Sequence, residues 1–357
     1  SCAVPMRAPL YSTTAPSAAT NLARTTDRYL LFSVHVPLRR PSRLMSLGLH
    51  RVRRACFSLP LAPRIPRRNM RIIPVPVRED NYAYILMSTP KGARPQGAFV
   101  DPYDVPTVRR AAHTLGLQDT DIVGSITTHG HYDHAGGNDA FAKAFPGRPI
   151  WGGAASIASV THVVRDGDTF ELFSDGAEVL VKAYATPCHT RDSICFFVED
   201  KRREDALAQL PHGLKEGADG EKKRGVFTGD TLFISGCGRF FEGQAEDMHR
   251  ALNVVLRQLP LDTLVYCGHE YTASNVAFSA AVLPNAPGIQ RLVSDVRSGR
   301  NGGVTTGLYT LSDELKHNPF MMVEDAVVQK AIGGTDAITT MHALRVAKNQ
   351  GTLRIRL

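Results

Sequence analysis

Short apolar runs separated by turns dominate the chain from Met70 onward. Alternating or continuous apolar residues predict strands over 71–77, 82–87, 97–101, 122–127, 179–184, 194–198, 225–228 and 263–267. Helical spacing appears between them at 105–116 and 138–145. Beyond residue 272 the strand pattern stops, and helices are predicted over 272–283, 286–298, 311–317, 324–332 and 335–349. Thr310-Leu311-Ser312-Asp313 reads as a capping box opening the third of these, and Pro319 ends that helical stretch. Strands mixed with helices predict an α/β layered fold over 70–271, its sheets covered by helices, and a smaller all-helical domain over 272–357. Within the first region, residues 200–224 are charged at both ends and Gly-rich between, which predicts a surface insertion.

Charge divides the chain differently. Residues 1–70 hold twelve Arg, no Lys and one acid, Asp27, a local net of +11 against a chain total of +8, so residues 71–357 carry −3. The basic character belongs to the leader, and nucleic-acid binding does not follow from it. Residues 1–69 are Arg-rich and Ser/Thr-rich, as in a mitochondrial transit peptide, with a basic amphipathic helix possible over Arg43–Arg54. A disordered basic arm is the plainer reading. The expected compartment is the mitochondrial matrix if the leader operates, and the cytoplasm if translation starts at Met70. No apolar run approaches the ~20 residues a membrane span requires, and a monomer is expected. The six Cys form no C-x-x-C pair. Free thiols in a reducing compartment are expected, with Cys188, Cys237 and Cys267 as buried filler rather than ligands.

The chemistry is concentrated in His129-Gly130-His131-Tyr132-Asp133-His134, three imidazoles and a carboxylate within six residues. A lone His is usually a surface or core residue. Four candidate ligands this close would compete for hydrogen-bond partners or repel, so a metal site is the better reading. The run follows the predicted strand 122–127. Three further polar residues sit on turns after apolar strands: His189 in Thr-Pro-Cys-His-Thr, Asp230 in Phe-Thr-Gly-Asp-Thr, and His269 in Tyr-Cys-Gly-His-Glu-Tyr. Gly229 and Gly268 beside them allow close packing or unusual dihedrals. Seven ligands exceed one ion's needs and suit two. One ion is expected to take His129, His131 and His189, the other Asp133, His134 and His269, with Asp230 bridging. Zinc is the expected metal, and iron or manganese suits the same donors. Asp133 and Asp230 are the candidate catalytic carboxylates, with Asp133 a ligand rather than a proton shuttle.

The H-x-H-x-D-H run and the separate His, Asp and His motifs resemble the metallo-β-lactamase superfamily, which implies an αββα sandwich with a binuclear site at one edge. Within it, Thr-Pro-Cys-His-Thr, Phe-Thr-Gly-Asp-Thr-Leu-Phe, Gly-Cys-Gly-Arg-Phe-Phe-Glu-Gly, Gly-His-Glu-Tyr-Thr and Asn-Pro-Phe-Met resemble glyoxalase II, the hydroxyacylglutathione hydrolases, from about residue 71 to the C-terminus. The resemblance implies hydrolysis of S-D-lactoylglutathione and related S-2-hydroxyacylglutathiones to glutathione and D-lactate, by a hydroxide held between two metal ions, the second step of methylglyoxal detoxification. It also implies that Arg239, Tyr271, Arg345 and Lys348 contact the glutathione moiety. Arg345 and Lys348 would share one helix face and grip a carboxylate; the alternative is a solvated basic helix end. Phe241 stands where some relatives have Tyr, and Arg191-Asp192-Ser193 replaces a common Ser-Gly-His. A glutathione persulfide dioxygenase with one iron is the competing enzyme on the same fold. A nuclease of the superfamily is disfavoured by the mildly acidic body, and a non-catalytic scaffold by the filled ligand positions.

Overall fold

Alternation along 71–88 builds a hairpin: β1 (Arg71–Val77) pairs antiparallel with β2 (Asn81–Ser88), Arg71 opposite Met87 and Val77 opposite Asn81. This comes from a computed structural model, which describes residues 70–90, 93–173, 179–201, 224–351 and 353–357. The leader expectation at 1–69 and nearly all of the insertion at 200–224 lie outside the described residues. After the hairpin come β3 (Gln96–Val100), α1 (Val105–Thr114), β4 (Ile122–Ile126), α2 (Tyr132–Ala135), α3 (Asn138–Ala144), β5 (Ile150–Gly152) and β6 (His162–Val163). The six strands form one sheet in sequential order. β7 (Thr169–Glu171), β8 (Val179–Ala185), β9 (Ile194–Asp200), β10 (Arg224–Gly229) and β13 (Leu264–Cys267) form a second, ordered 13-10-9-8-7. Between β10 and β13 lie the short pair β11 (Leu232–Phe233) and β12 (Gly236–Cys237), then α4 (Ala245–His249). Helices α5 (Thr272–Val282), α6 (Pro287–Arg297), α7 (Leu311–His317), α8 (Ala326–Ile332) and α9 (Ala337–Gln350) complete the chain.

The period-two pattern decides the layers. Tyr84 and Leu86 of β2 face inward, and with Val100 and Ile126 they meet Val181, Phe196, Val198 and Phe227 of the second sheet. Ile85, between them, faces the other way and packs with Phe99 and Ile122 against Val108 of α1 and Phe141 of α3. On the far side, Phe197, Val226 and Val265 pack against Val276 and Phe278 of α5, Leu292 of α6 and Leu344 of α9. The result is helix, sheet, sheet, helix.

Every predicted strand and helix is present, with ends within two residues of the expected ones. The chain holds more than was expected. β5, β6, β7, β11 and β12 are two or three residues each, too short for a period to register. A helical stretch at 245–258 was also not anticipated. It begins at α4 and widens into a π-helical turn at Arg250–Val255. The Gln244–Asp247 capping box is the signal that marks its start.

The separate two-stranded hairpin β11–β12 is locked to α7 by a buried polar cluster. Glu314 is fully buried; its carboxylate accepts from the Ser235 N–H at 3.0 Å and the Asn318 amide at 2.9 Å, and pairs with His317 Nε2 at 2.8 Å. Asn318 also donates to the Gly236 carbonyl at 3.0 Å. Ser235, at φ 59°, turns its hydroxyl onto the His317 carbonyl at 2.7 Å. Detaching these helices would leave the Glu314 carboxylate buried without its partners, which is costly.

Candidate metal centre

All seven expected ligands follow the carboxyl ends of strands: the 129–134 run after β4, His189 after β8, Asp230 after β10 and His269 after β13. Backbone bonds stitch these turns together, with Ile194 N–H on the Thr128 carbonyl at 2.9 Å and Gly268 N–H on the Gly229 carbonyl at 2.8 Å. Two glycines permit the approach. Gly229 has φ +46°, and a Cβ there would lie 2.4 Å from Thr128 Oγ1; one on Gly268 would lie 2.3 Å from Asp230 Oδ1.

The side chains converge. Donor atoms of His129, His131 and His189 lie within 4.8 Å of one another, as do those of Asp133, His134 and His269, and those of His129, His134 and Asp230. His131 Nδ1 is 3.1 Å from His129 Nε2 and 3.0 Å from His189 Nε2. His134 Nε2 and His269 Nε2 are 3.3 Å apart. Asp230 lies between the groups, its oxygens 3.3 Å from His134, 3.4 Å from His189 and 3.4 Å from His269.

Outer partners orient the rings. His134 Nδ1 is 2.9 Å from Asp101, and His269 Nδ1 is 2.9 Å from Asp80. His189 Nδ1 donates to the Arg239 carbonyl at 3.0 Å, and His129 Nδ1 sits 3.1 Å from Thr128 Oγ1. The Thr128 hydroxyl in turn donates to Asp101 at 2.6 Å. Protons held on these nitrogens leave the Nε2 lone pairs of His129, His134, His189 and His269 facing one small volume, as metal ligation requires. Asp80, Asn81 and Asp101 were not anticipated. They stand at a turn and at strand ends, and no sequence motif ties them to the His run. Asp101 adopts φ +47°, a strained conformation for a non-glycine residue. Asn81 donates to Asp133 Oδ2 at 3.0 Å.

The electrostatics fit a cation. Burial would raise the Asp230 carboxyl, but His134, His269 and His129 outweigh it and hold it well below the usual carboxylate range. Burial opposes charge on His269, yet Asp133, Asp230 and Asp80 push it up to about 10. Asp230 Oδ1 is buried with no hydrogen-bond partner. An anionic oxygen left so, 3.3 Å from His134 Nε2 and with His189 and His269 each 3.4 Å from the other oxygen of the same carboxylate, fits a divalent metal. The four cysteines among the described residues do not join. Cys188, Cys195, Cys237 and Cys267 are free and buried, and burial pushes Cys188 and Cys267 up to about 12 and Cys195 and Cys237 to about 11. None of the four belongs to the converging donor groups.

The expected glutathione contacts lie beside this centre. The Tyr271 ring stacks on His269, centroids 4.7 Å apart, and is partly exposed. Arg239 is exposed, and its carbonyl is the one that holds His189. Arg345 and Lys348 share one face of α9 but are not an open fork. Arg345 is only 7% exposed and donates to the Cys237 carbonyl at 3.0 Å, so it clamps main chain. Lys348 reaches the Ser274 carbonyl at 2.8 Å, three residues past Tyr271. Neither is a freely solvated helix end.

Comparison with known proteins agrees with this geometry. Residues 104–203 match the metallo-beta-lactamase superfamily, and residues 270–351 match the hydroxyacylglutathione hydrolase C-terminus. The chain is 40% identical over 274 residues to a probable hydroxyacylglutathione hydrolase of Schizosaccharomyces pombe, covering 76% of this chain and 93% of the relative. It is 37% identical over 282 residues to the cytoplasmic hydroxyacylglutathione hydrolase of Arabidopsis thaliana, covering 79% and 99%. Among solved structures, ETHE1 from Myxococcus xanthus aligns with TM-score 0.49 and 21% identity, over 80% of this chain and 91% of its own. Among the described residues no helix is long and apolar enough to cross a membrane. With identity at this level over nearly the whole of both relatives, and both halves of the architecture matched, the chain belongs to the hydroxyacylglutathione hydrolase family of the metallo-β-lactamase superfamily.

Proposed function

We propose that this enzyme hydrolyses S-D-lactoylglutathione and related S-2-hydroxyacylglutathiones to glutathione and the free 2-hydroxy acid. The observation that carries the reading is the convergence of seven donors, in two groups around one buried carboxylate, beside helices that match the hydroxyacylglutathione hydrolase C-terminus. In this reading His129, His131 and His189 would hold one divalent ion and Asp133, His134 and His269 a second, with Asp230 available to both. Zinc is the metal of choice for this donor set, and iron and manganese are alternatives. Bound there, the metal supplies Lewis acidity that brings water toward hydroxide near neutral pH and polarises a carbonyl.

The chain's own residues supply position and charge. Asp80, Asp101, Thr128 and the Arg239 carbonyl hold the imidazoles in one tautomer. Asp133 is held well below the usual carboxylate range by His269, against burial, and by Asn81, so it stays anionic and serves as a ligand rather than a proton carrier. A leaving thiolate of pKa near ~8.5 departs without a strong general acid. Arg239, Tyr271 and Lys348 supply a cation, a hydroxyl and a second cation for the two glutathione carboxylates. The six-donor arrangement beyond Asp230 favours two ions over the single iron of a persulfide dioxygenase.

The direct test follows loss of the lactoylglutathione thioester while metal is titrated into chelated protein. Turnover saturating near two ions per chain supports the reading; two bound ions with no turnover would refute the substrate, and oxygen uptake with a persulfide would replace it. A second expectation concerns Lys348. Burial, and then the neighbouring Arg345, hold its ammonium down at about 8. The charge is present below that pH and lost above it, so KM for the dicarboxylate thioester should climb as pH passes 8. Lys348→Ala should raise KM roughly tenfold at pH 7, the scale of one charged hydrogen bond, and flatten that climb. A kcat effect with unchanged KM would remove Lys348 from the binding site.

A further inference from the structure

The five imidazoles of the centre are not held alike. Four fix their rings by a hydrogen bond from the nitrogen facing away from the cluster, to Thr128, Asp101, Arg239 and Asp80. His131 instead turns Nδ1 inward, and its Nε2 has no hydrogen-bond partner among the described residues. Its ring rests edge-on against His189 and Phe241, at 4.7 and 5.8 Å between centroids. Its placement therefore depends on its main chain.

That main chain is held next door. The Gly130 N–H, between His129 and His131, donates to Asp192 Oδ1 at 3.3 Å. The same oxygen accepts the Thr190 hydroxyl at 2.6 Å, one residue after His189. One carboxylate oxygen thus spans the two turns that carry His129, His131 and His189. The fit leaves no slack. A Cβ on Gly130 would stand 2.6 Å from Asp192 Oδ2, and one on Gly153 would stand 2.1 Å from the Asp192 carbonyl oxygen.

We propose that Asp192 is a positioning residue that sets His131 against His189 by bridging their turns. The inference rests on the two-ion reading above. Its consequence is asymmetric. Asp133, His134 and His269 keep their own anchors in Asn81, Asp101 and Asp80. Loss of the Asp192 oxygen should therefore loosen one metal position and spare the other.

The test uses the zinc-loaded full chain and two substitutions, Asp192→Ala and Asp192→Asn. It reads stepwise zinc release to a chelator and hydrogen exchange at the Gly130 amide. Asp192→Ala should release one ion about tenfold faster, the lower end of outer-partner effects, and keep the other at the wild-type rate. Its Gly130 amide should exchange faster. Asp192→Asn keeps an acceptor oxygen and should restore both readouts to within about threefold, as expected if a hydrogen bond rather than charge is what matters. Equal loss of both ions, loss of neither, or an Asn variant matching Ala would overturn the proposal. If the unaltered protein holds only one ion, the two-ion reading fails, while Gly130 exchange still decides whether Asp192 is the staple.

Discussion

Asp230→Ala should abolish thioester hydrolysis and metal retention together. Among the described residues Asp230 is the one carboxylate within 3.4 Å of His134, His189 and His269 at once, and its Oδ1 is buried with no other partner. Removing it takes the only anion from between the two imidazole groups. The expected fall in kcat/KM is at least ~1000-fold, the several kcal/mol of Lewis-acid stabilisation at about 1.4 kcal/mol per tenfold. Metal content measured on the same preparation decides the cause. Two ions bound with activity gone would make Asp230 a participant in the chemistry rather than a bridge; activity retained with two ions bound would end the bridging assignment. Asp230→Asn keeps the shape but not the charge, so it should resemble Ala.

The second large effect is expected at Asp101, which touches no substrate in this reading. Its carboxylate accepts the Thr128 N–H at 2.7 Å and the Thr128 hydroxyl at 2.6 Å, and faces His134 Nδ1 at 2.9 Å. Through Thr128 it also governs His129. Three donors converge on two oxygens, and an amide cannot accept all three. Asp101→Asn should therefore place an N–H against a donor and disturb the His134 tautomer. Asn tolerates the left-handed backbone well, so the strain at φ +47° is not what changes. Metal affinity should fall about 10- to 100-fold, the usual scale for an outer carboxylate on a ligating histidine. Competition with a coloured chelator measures it directly. Wild-type affinity in Asp101→Asn would mean that packing alone holds His134.

What was legible in the sequence follows from the length over which each signal is written. Strands of four or more residues and regular α-helices of seven or more leave a periodic trace and lie where expected, whereas the 245–258 stretch changes from α to π to 3-10 turns and keeps no single period. β5, β6 and β7 complete the sheet edges from two or three residues each and leave no trace. The ligands were legible because four of them sit in one six-residue run and the others follow apolar strands. Their outer partners were not. Asp80 and His269 are 189 positions apart, and Asp101 and His134 are 33 apart. The first pair arises only when the two sheets dock, and the second only when β3 and β4 align as parallel neighbours and bring their carboxyl ends together. The same holds for Arg345. Spacing places it beside Lys348, but only packing turns its guanidinium onto the Cys237 carbonyl.

The grip on the short hairpin has an evolutionary corollary. Asn318 and Arg345 hold this segment largely by its carbonyls, at Gly236 and Cys237, while His189 takes the carbonyl of Arg239. Main-chain oxygens are common to every residue type. The exposed side chains of Arg239 and Phe241 can therefore be exchanged without loosening the scaffold beneath them. Phe241, 59% exposed and packed on His189, is one such position. Descendants of this chain could drift in the thioesters they prefer while the arrangement that performs the hydrolysis stays where it is.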